Sequence, residues 1–222
     1  MQTLQIPESG HPLVKSLFHH KDQELLTLFQ NYPDQGKYFV AIFCRYGLIV
    51  YTLIRHSVRS PVQADYLFSQ TWRHIFYEMR PLNLREQDST EGGNTLQNWL
   101  INVTAVCINQ GELPPVESIQ YSLSAAPPPL WCYVGLVLDR MEPLLRLILV
   151  MAQTFHWSET RISAYLQAEG ELVSPNEVKE LLKGGYRTLD ESLPADIREI
   201  YFNENSPIFT PDPDINQQIL KS

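Results

Sequence analysis

From residue 22 to residue 192 apolar residues recur at three- and four-residue spacing. That is the period of amphipathic helices, and no segment alternates residue by residue as a half-buried strand would. "DQELLTLFQNY" reads as a short helix with Leu25, Leu26, Leu28 and Phe29 on its apolar side, closed by Pro33 and Gly36. "KYFVAIFCRYGLIVYTLIRHSV" reads as a long, strongly apolar helix along which Lys37, Arg45 and Arg55 are spread, with Arg59 just beyond. "SPVQADYLFSQTWRHIFYEMR" opens with Ser60 and Pro61, the N-cap and first-turn residues of a specific helix start. A polar loop containing Gly92 and Gly93 follows, and then "NTLQNWLINVTAVCINQ" (94–110).

Between Gly111 and Pro129 the pattern breaks. Six of these nineteen residues are breakers: Gly111, Pro114, Pro115, Pro127, Pro128 and Pro129. A stretch of this kind cannot be helical throughout, and it marks a domain boundary. Beyond it, "LWCYVGLVLDRM" and "EPLLRLILVMAQTF" predict two helices and "SETRISAYLQAEG" a third, capped by Ser158. "SPNEVKELLKGGYRTLDESL" predicts a fourth, with Pro175 at its first position and a capping box between Ser174 and Glu177. The expectation is an all-α chain. It comprises a loose N-terminal arm (1–20), a helical domain (21–110), a Pro-rich linker (111–129), a second small helical domain (130–200) and an irregular tail (201–222).

Composition narrows the class. Of 222 residues 44% are hydrophobic and 19% charged, which suits a globular protein. The three cysteines, Cys44, Cys107 and Cys132, have no metal-ligand spacing and fit small apolar groups in a reducing compartment. The start has neither the basic nor the apolar region of a signal peptide. The apolar runs "YGLIVYTLI" and "LLRLILVMA" fall short of the roughly 20 residues that span a bilayer. The expectation is a cytoplasmic protein with no membrane partner. The net charge of −8 is unevenly placed. Residues 1–110 hold nine Lys/Arg and nine Asp/Glu, whereas residues 111–222 hold eight and sixteen. This balance disfavours a DNA binder that relies on a broad basic patch.

The sequence offers little for catalysis. None of the six histidines lies in a ligand spacing; His19 and His20 are adjacent, and adjacent helical residues point apart. There is no nucleophile elbow and no glycine-rich phosphate loop. The reading is of a non-enzyme with no metal and no cofactor. Two local patterns remain. In the last predicted helix Lys179, Lys183 and Arg187 recur every four residues and form one basic stripe. A stripe like this can hold phosphates or enter a major groove, or it is a solvated face paired with Glu177 and Glu180. The connection "QAEGELV" is longer than a standard helix-turn-helix turn, and Gly184 and Gly185 weaken the helix by about 1 kcal/mol each. In residues 94–110 there is no charged residue, yet there are four asparagines and two glutamines. Asn94, Asn98, Asn102 and Asn109 share one narrow side of the helical wheel with Ala105. Leu96, Trp99, Leu100, Val103, Val106, Cys107 and Ile108 occupy the rest, which predicts a mostly buried helix with an amide seam. The seam either meets nucleotide bases or a partner, or hydrogen-bonds another helix or the following linker.

Three segments taken in order resemble the bacterial sigma-70-type initiation factors, in particular the small extracytoplasmic-function type that has only domains 2 and 4. "ADYLFSQTWRHIF" (64–76) resembles the family's region 2.2, "TLQNWLINVTAVCINQ" its regions 2.3 to 2.4, and "EPLLRLILVMAQTFHWSETRISAYL" through "SPNEVKELLKGGYRTL" its region 4. The resemblance covers about residues 22–195, and the Pro-rich stretch lies where the family's interdomain linker lies. It implies two helical domains, the second with a helix-turn-helix. It also implies docking on the clamp helices of the β′ subunit of core RNA polymerase through Asp65, Ser69, Gln70 and Arg73. Promoter DNA would be met in the holoenzyme: the −35 element by Ser174, Asn176, Lys179, Lys183 and Arg187, the −10 element by Asn98, Asn102 and the loop 87–95. The departures are specific. Family arginines fall on Asn102 and Ala105, and two or three are missing around Gly184 and Gly185. They leave room for an alternative, a sigma-like module that binds polymerase or an anti-sigma-like regulator without reading DNA.

Overall fold

The computed structural model describes residues 4–84, 95–123 and 126–202, and among these every regular element is helical. The α-helices are α1 (Pro12–Lys15), α2 (Asp22–Asn31), α3 (Lys37–Ser57), α4 (Pro61–Glu78), α5 (Leu96–Gln110), α6 (Pro128–Arg140), α7 (Pro143–Thr154), α8 (Glu159–Ala168), α9 (Pro175–Ser192) and α10 (Ala195–Tyr201). The chain forms two compact units. The first is Met1–Arg140 together with Leu193–Tyr201; the second includes Met141–Ser192. The sequence pattern placed the boundary in 111–129, but the division falls after Arg140, because α6 packs on α4 and α3 of the first unit.

In the first unit α3 is central, in contact with α1, α2, α4, α5, α6 and α10. By length and composition it could cross a membrane, with 21 residues and a mean hydropathy of 1.4, a longer apolar element than the run "YGLIVYTLI" suggests. Here its apolar side serves as core. Phe39, Val40, Ala41, Ile42 and Ile54 have no exposed surface, and Phe43 and Val50 almost none. The rings of Phe39 and Phe43 meet Trp72 of α4 edge-on at 5.8 and 5.0 Å, and Phe76 meets Phe39 at 4.8 Å and Tyr133 of α6 at 5.2 Å. Each fully buried ring of this kind contributes about 1.5–3 kcal/mol through burial, with a further increment from edge-to-face contact. Arg45, in the middle of α3, pairs with Asp22 at the start of α2 and donates to the His20 carbonyl at 2.9 Å.

Residues 4–20 and 193–201 are held more firmly than the sequence suggested. Residues 1–20 read as a loose arm. Instead a turn of 3-10 helix (Pro7–Gly10) and α1 lie on α3, with Val14, Leu17 and Glu8 buried. Burial holds the Glu8 carboxyl above its ordinary pKa. The sequence pattern does not separate α10 from the helix before it, yet α10 closes the first unit. Asp196 accepts hydrogen bonds from the backbone N–H groups of Gly36 (3.1 Å) and Lys37 (2.9 Å), and so caps α3 from 160 residues away. A Cβ on Gly36 would lie 2.3 Å from Ile197, so only glycine allows this approach. Asp196→Ala removes an anionic cap from the central helix and is expected to cost about 1–2 kcal/mol, read from denaturant unfolding of the whole chain.

Candidate nucleic-acid and partner surfaces

The second unit is built around α9, which packs against α7 and α8. Its buried residues, Val178, Leu182, Gly185 and Leu189, form one stripe. Both capping-box bonds are made: the Glu177 carboxylate accepts from the Ser174 N–H at 2.7 Å, and the Ser174 hydroxyl accepts from the Glu177 N–H at 3.3 Å. These bonds hold the Glu177 carboxyl below its ordinary pKa, because they favour the charged form. They also turn Glu177 toward the N-terminus of α9. Lys179, Lys183 and Arg187 are exposed, and no ion pair among the described residues involves them. Rising 1.5 Å per residue, the helix spaces these three cations about 6 Å apart. Asn176 is exposed, whereas Ser174 is half-buried with its hydroxyl engaged as a cap.

The connection before α9 is long but ordered. Gly170 takes a left-handed conformation (φ 93°), which lets the Glu171 N–H return to the Leu166 carbonyl at 2.9 Å. The buried Ser163 hydroxyl donates to the Val173 carbonyl at 2.7 Å and ties α8 to the entry of α9. Near the start of α8 the Arg161 guanidinium stacks on Trp157 at 4.3 Å, beside the exposed rings of Phe155 and Tyr165. In the sequence this aromatic group shows only as three aromatics within eleven residues, a spacing that belongs to no motif.

The two glycines of α9 differ. A Cβ on Gly185 would meet Leu149 at 2.9 Å and Leu145 at 3.0 Å, so Gly185 sets the distance between α7 and α9. Gly184 has nothing within 4 Å of such a Cβ. Gly184→Ala is therefore expected to stabilise the fold by about 0.5–1 kcal/mol, and Gly185→Val to cost about 1–3 kcal/mol by overpacking. Thermal unfolding of the two variants beside the parent checks both signs.

In the first unit, α5 is more exposed than the helical wheel implies. Only Leu96, Leu100 and Thr104 are buried, where α5 meets α3 and α4. Asn98, Asn102, Ala105 and Asn109 face outward, and Val106 is 45% exposed. The amide side thus forms part of a broad neutral surface rather than a seam within a core. A single stripe of contact suffices because α5 lies over α3 and α4 from one side only. Asn94 and the loop positions 87–94 lie outside the described residues.

On α4 the four residues expected to dock on a partner separate. Arg73 is exposed and Gln70 half-buried. Asp65 is half-buried and accepts from the Tyr51 hydroxyl at 2.7 Å; burial, with that bond, pushes the Tyr51 pKa up to about 12. Ser69 is 2% exposed and donates to the Tyr66 carbonyl at 2.7 Å. In this conformation the Ser69 hydroxyl therefore faces its own fold. Among the described residues, no three His, Cys, Asp or Glu side chains come together in a group able to hold a metal ion. Comparison with protein-family models, with curated proteins and with solved structures found no match.

Proposed function

We propose that this chain is a sigma-factor-like transcription initiation protein. It works in the cytoplasm, binds core RNA polymerase through α4 and directs it to promoter DNA. In this reading α8 and α9 act as a helix-turn-helix, with α9 addressing the −35 element and the amide face of α5 meeting the −10 element. The observation that carries the reading is the row Lys179, Lys183 and Arg187, exposed and in no ion pair among the described residues, along a capped helix that follows another across an ordered connection. The order of the sequence segments that resemble the sigma-70 family supports it. No catalysis is assigned to the chain; polymerase performs the chemistry, and this protein positions it. The three cations suffice for DNA contact only beside the larger phosphate-binding surface of polymerase, because three neutralised phosphates supply a small part of a specific site's affinity.

The acidic balance of residues 111–222 favours a second reading, in which the same scaffold binds polymerase or an anti-sigma-like regulator without reading DNA. One experiment separates them: the purified chain is mixed with core polymerase and a random promoter library. Polymerase-dependent enrichment of one bipartite sequence is expected. Co-purification without enrichment would favour the second reading, and no co-purification would exclude both. On an enriched promoter, Lys179→Glu with Lys183→Glu is expected to weaken binding and to lower the slope of log affinity against log salt by about 2, at unchanged affinity for polymerase. An unaltered slope would remove α9 from the DNA contact.

A further inference from the structure

The stretch 111–123 does not hang between the units as a spacer; it runs back along α4. At Gly111 the chain leaves α5, with its N–H bonded to the Cys107 carbonyl at 2.9 Å. A Cβ there would lie 2.7 Å from that carbonyl and 3.2 Å from Leu67 of α4, so a glycine lets the chain turn tightly onto α4. Three residues on, the Pro114 carbonyl accepts from the Gln63 side chain of α4 at 2.9 Å. Pro114 and Pro115 hold this part extended, because proline fixes its own φ and restrains the residue before it. Tyr121 then settles against α4, its hydroxyl beside that of Ser69 and within electrostatic reach of Asp65, and donates to the Ala126 carbonyl at 2.7 Å. Immediately beyond, Cys132 of α6 lies against the Trp72 carbonyl of the same helix.

The positions of α4 that the strap meets are thus Gln63, Leu67 and Ser69, among them one of the four residues assigned to partner docking. The two farther along, Gln70 and Arg73, keep exposed surface. The cover contrasts with the core beneath it. Its contacts with α4 include the Gln63 hydrogen bond, Leu67 and Tyr121; Leu113, Ile119 and Leu123 are half-buried, while Val116, Glu117, Ser118 and Gln120 face solvent. A segment whose regular structure is the single 3-10 turn Val116–Ser118, and most of whose residues face solvent, can lift without unfolding the helices beneath it.

We propose that residues 111–123 are an autoinhibitory strap, closed over α4 in the free chain and lifted when α4 docks on core polymerase. The proposal rests on the reading of α4 as the polymerase-docking helix. It makes the affinity of the free chain the product of intrinsic affinity and the fraction of molecules with the strap open. Asp65, Gln70 and Arg73, which keep exposed surface, give polymerase a first contact while the strap is closed, and Ser69 joins once it has opened.

The test uses the full chain and core polymerase. Tyr121→Ala removes the strap's aromatic contact beside Ser69 without altering α4, and it is expected to tighten binding to core polymerase about tenfold. Thermal unfolding of the same variant confirms that the fold persists. A second measurement needs no substitution: amide hydrogen exchange of the parent chain, free and bound. On binding, amides in 116–123 are expected to exchange faster while those in 65–73 of α4 slow. Equal affinity of parent and variant, or a strap that stays protected in the complex, overturns the strap and leaves docking intact. If neither protein binds polymerase, the docking reading fails, and the strap fails with it.

Discussion

Trp72 has no exposed surface, and the rings of Phe39, Phe43 and Phe68 meet it edge-on. The larger unit depends on this cluster, because it fixes how α3 and α4 cross, and each of the other helices of that unit packs against one or both of these two. The aromatic edges and faces interlock in few arrangements, so the cluster specifies geometry as well as supplying apolar burial. α6 belongs to the first unit for the same reason: Tyr133 extends the ring contacts through Phe76, and Cys132 lies on the Trp72 carbonyl. What the prolines suggest as a break between domains is therefore a passage along one domain's surface.

The smaller unit follows a different rule. Its central crossing is set by the lack of a side chain at Gly185, which brings α9 against Leu145 and Leu149 of α7. The glycine pair that weakens α9 as an isolated helix thus has a packing role at one position only. With the buried stripe of α9 engaged, Lys179, Lys183 and Arg187 remain outside, and the capping box holds Glu177 toward Ser174. Local hydrogen bonding thus turns one of the two carboxylates nearest the row, Glu177, toward the helix start.

Helix identity was legible because its signals are local. Ser60, Ser158 and the Ser174–Glu177 box each mark a helix start, and their side chains cap the helices they announce. The basic stripe was legible for the same reason, since residues four apart share a face whatever packs behind them. The burial of α5 was not. Its wheel carries apolar residues over a wide arc, but only the Leu96, Leu100 and Thr104 line meets other helices, and composition cannot say how many neighbours a helix has. The contact of residues 111–123 with Gln63 and Ser69 was equally out of reach, because it depends on where the chain travels after α5 ends.

The sequence by itself determined an all-α chain, the starts of its main helices, the row of three cations on the last long one and the neutral amide face of residues 94–110, all properties of short periods and local caps. Only the tertiary structure decided that α10 returns to cap α3 through Asp196, that the first unit extends to Arg140, and that the Pro-rich stretch lies on α4. Those features join residues tens to more than a hundred positions apart. They are settled by which faces remain to be buried once the aromatic core has formed, and no window along the chain contains that information.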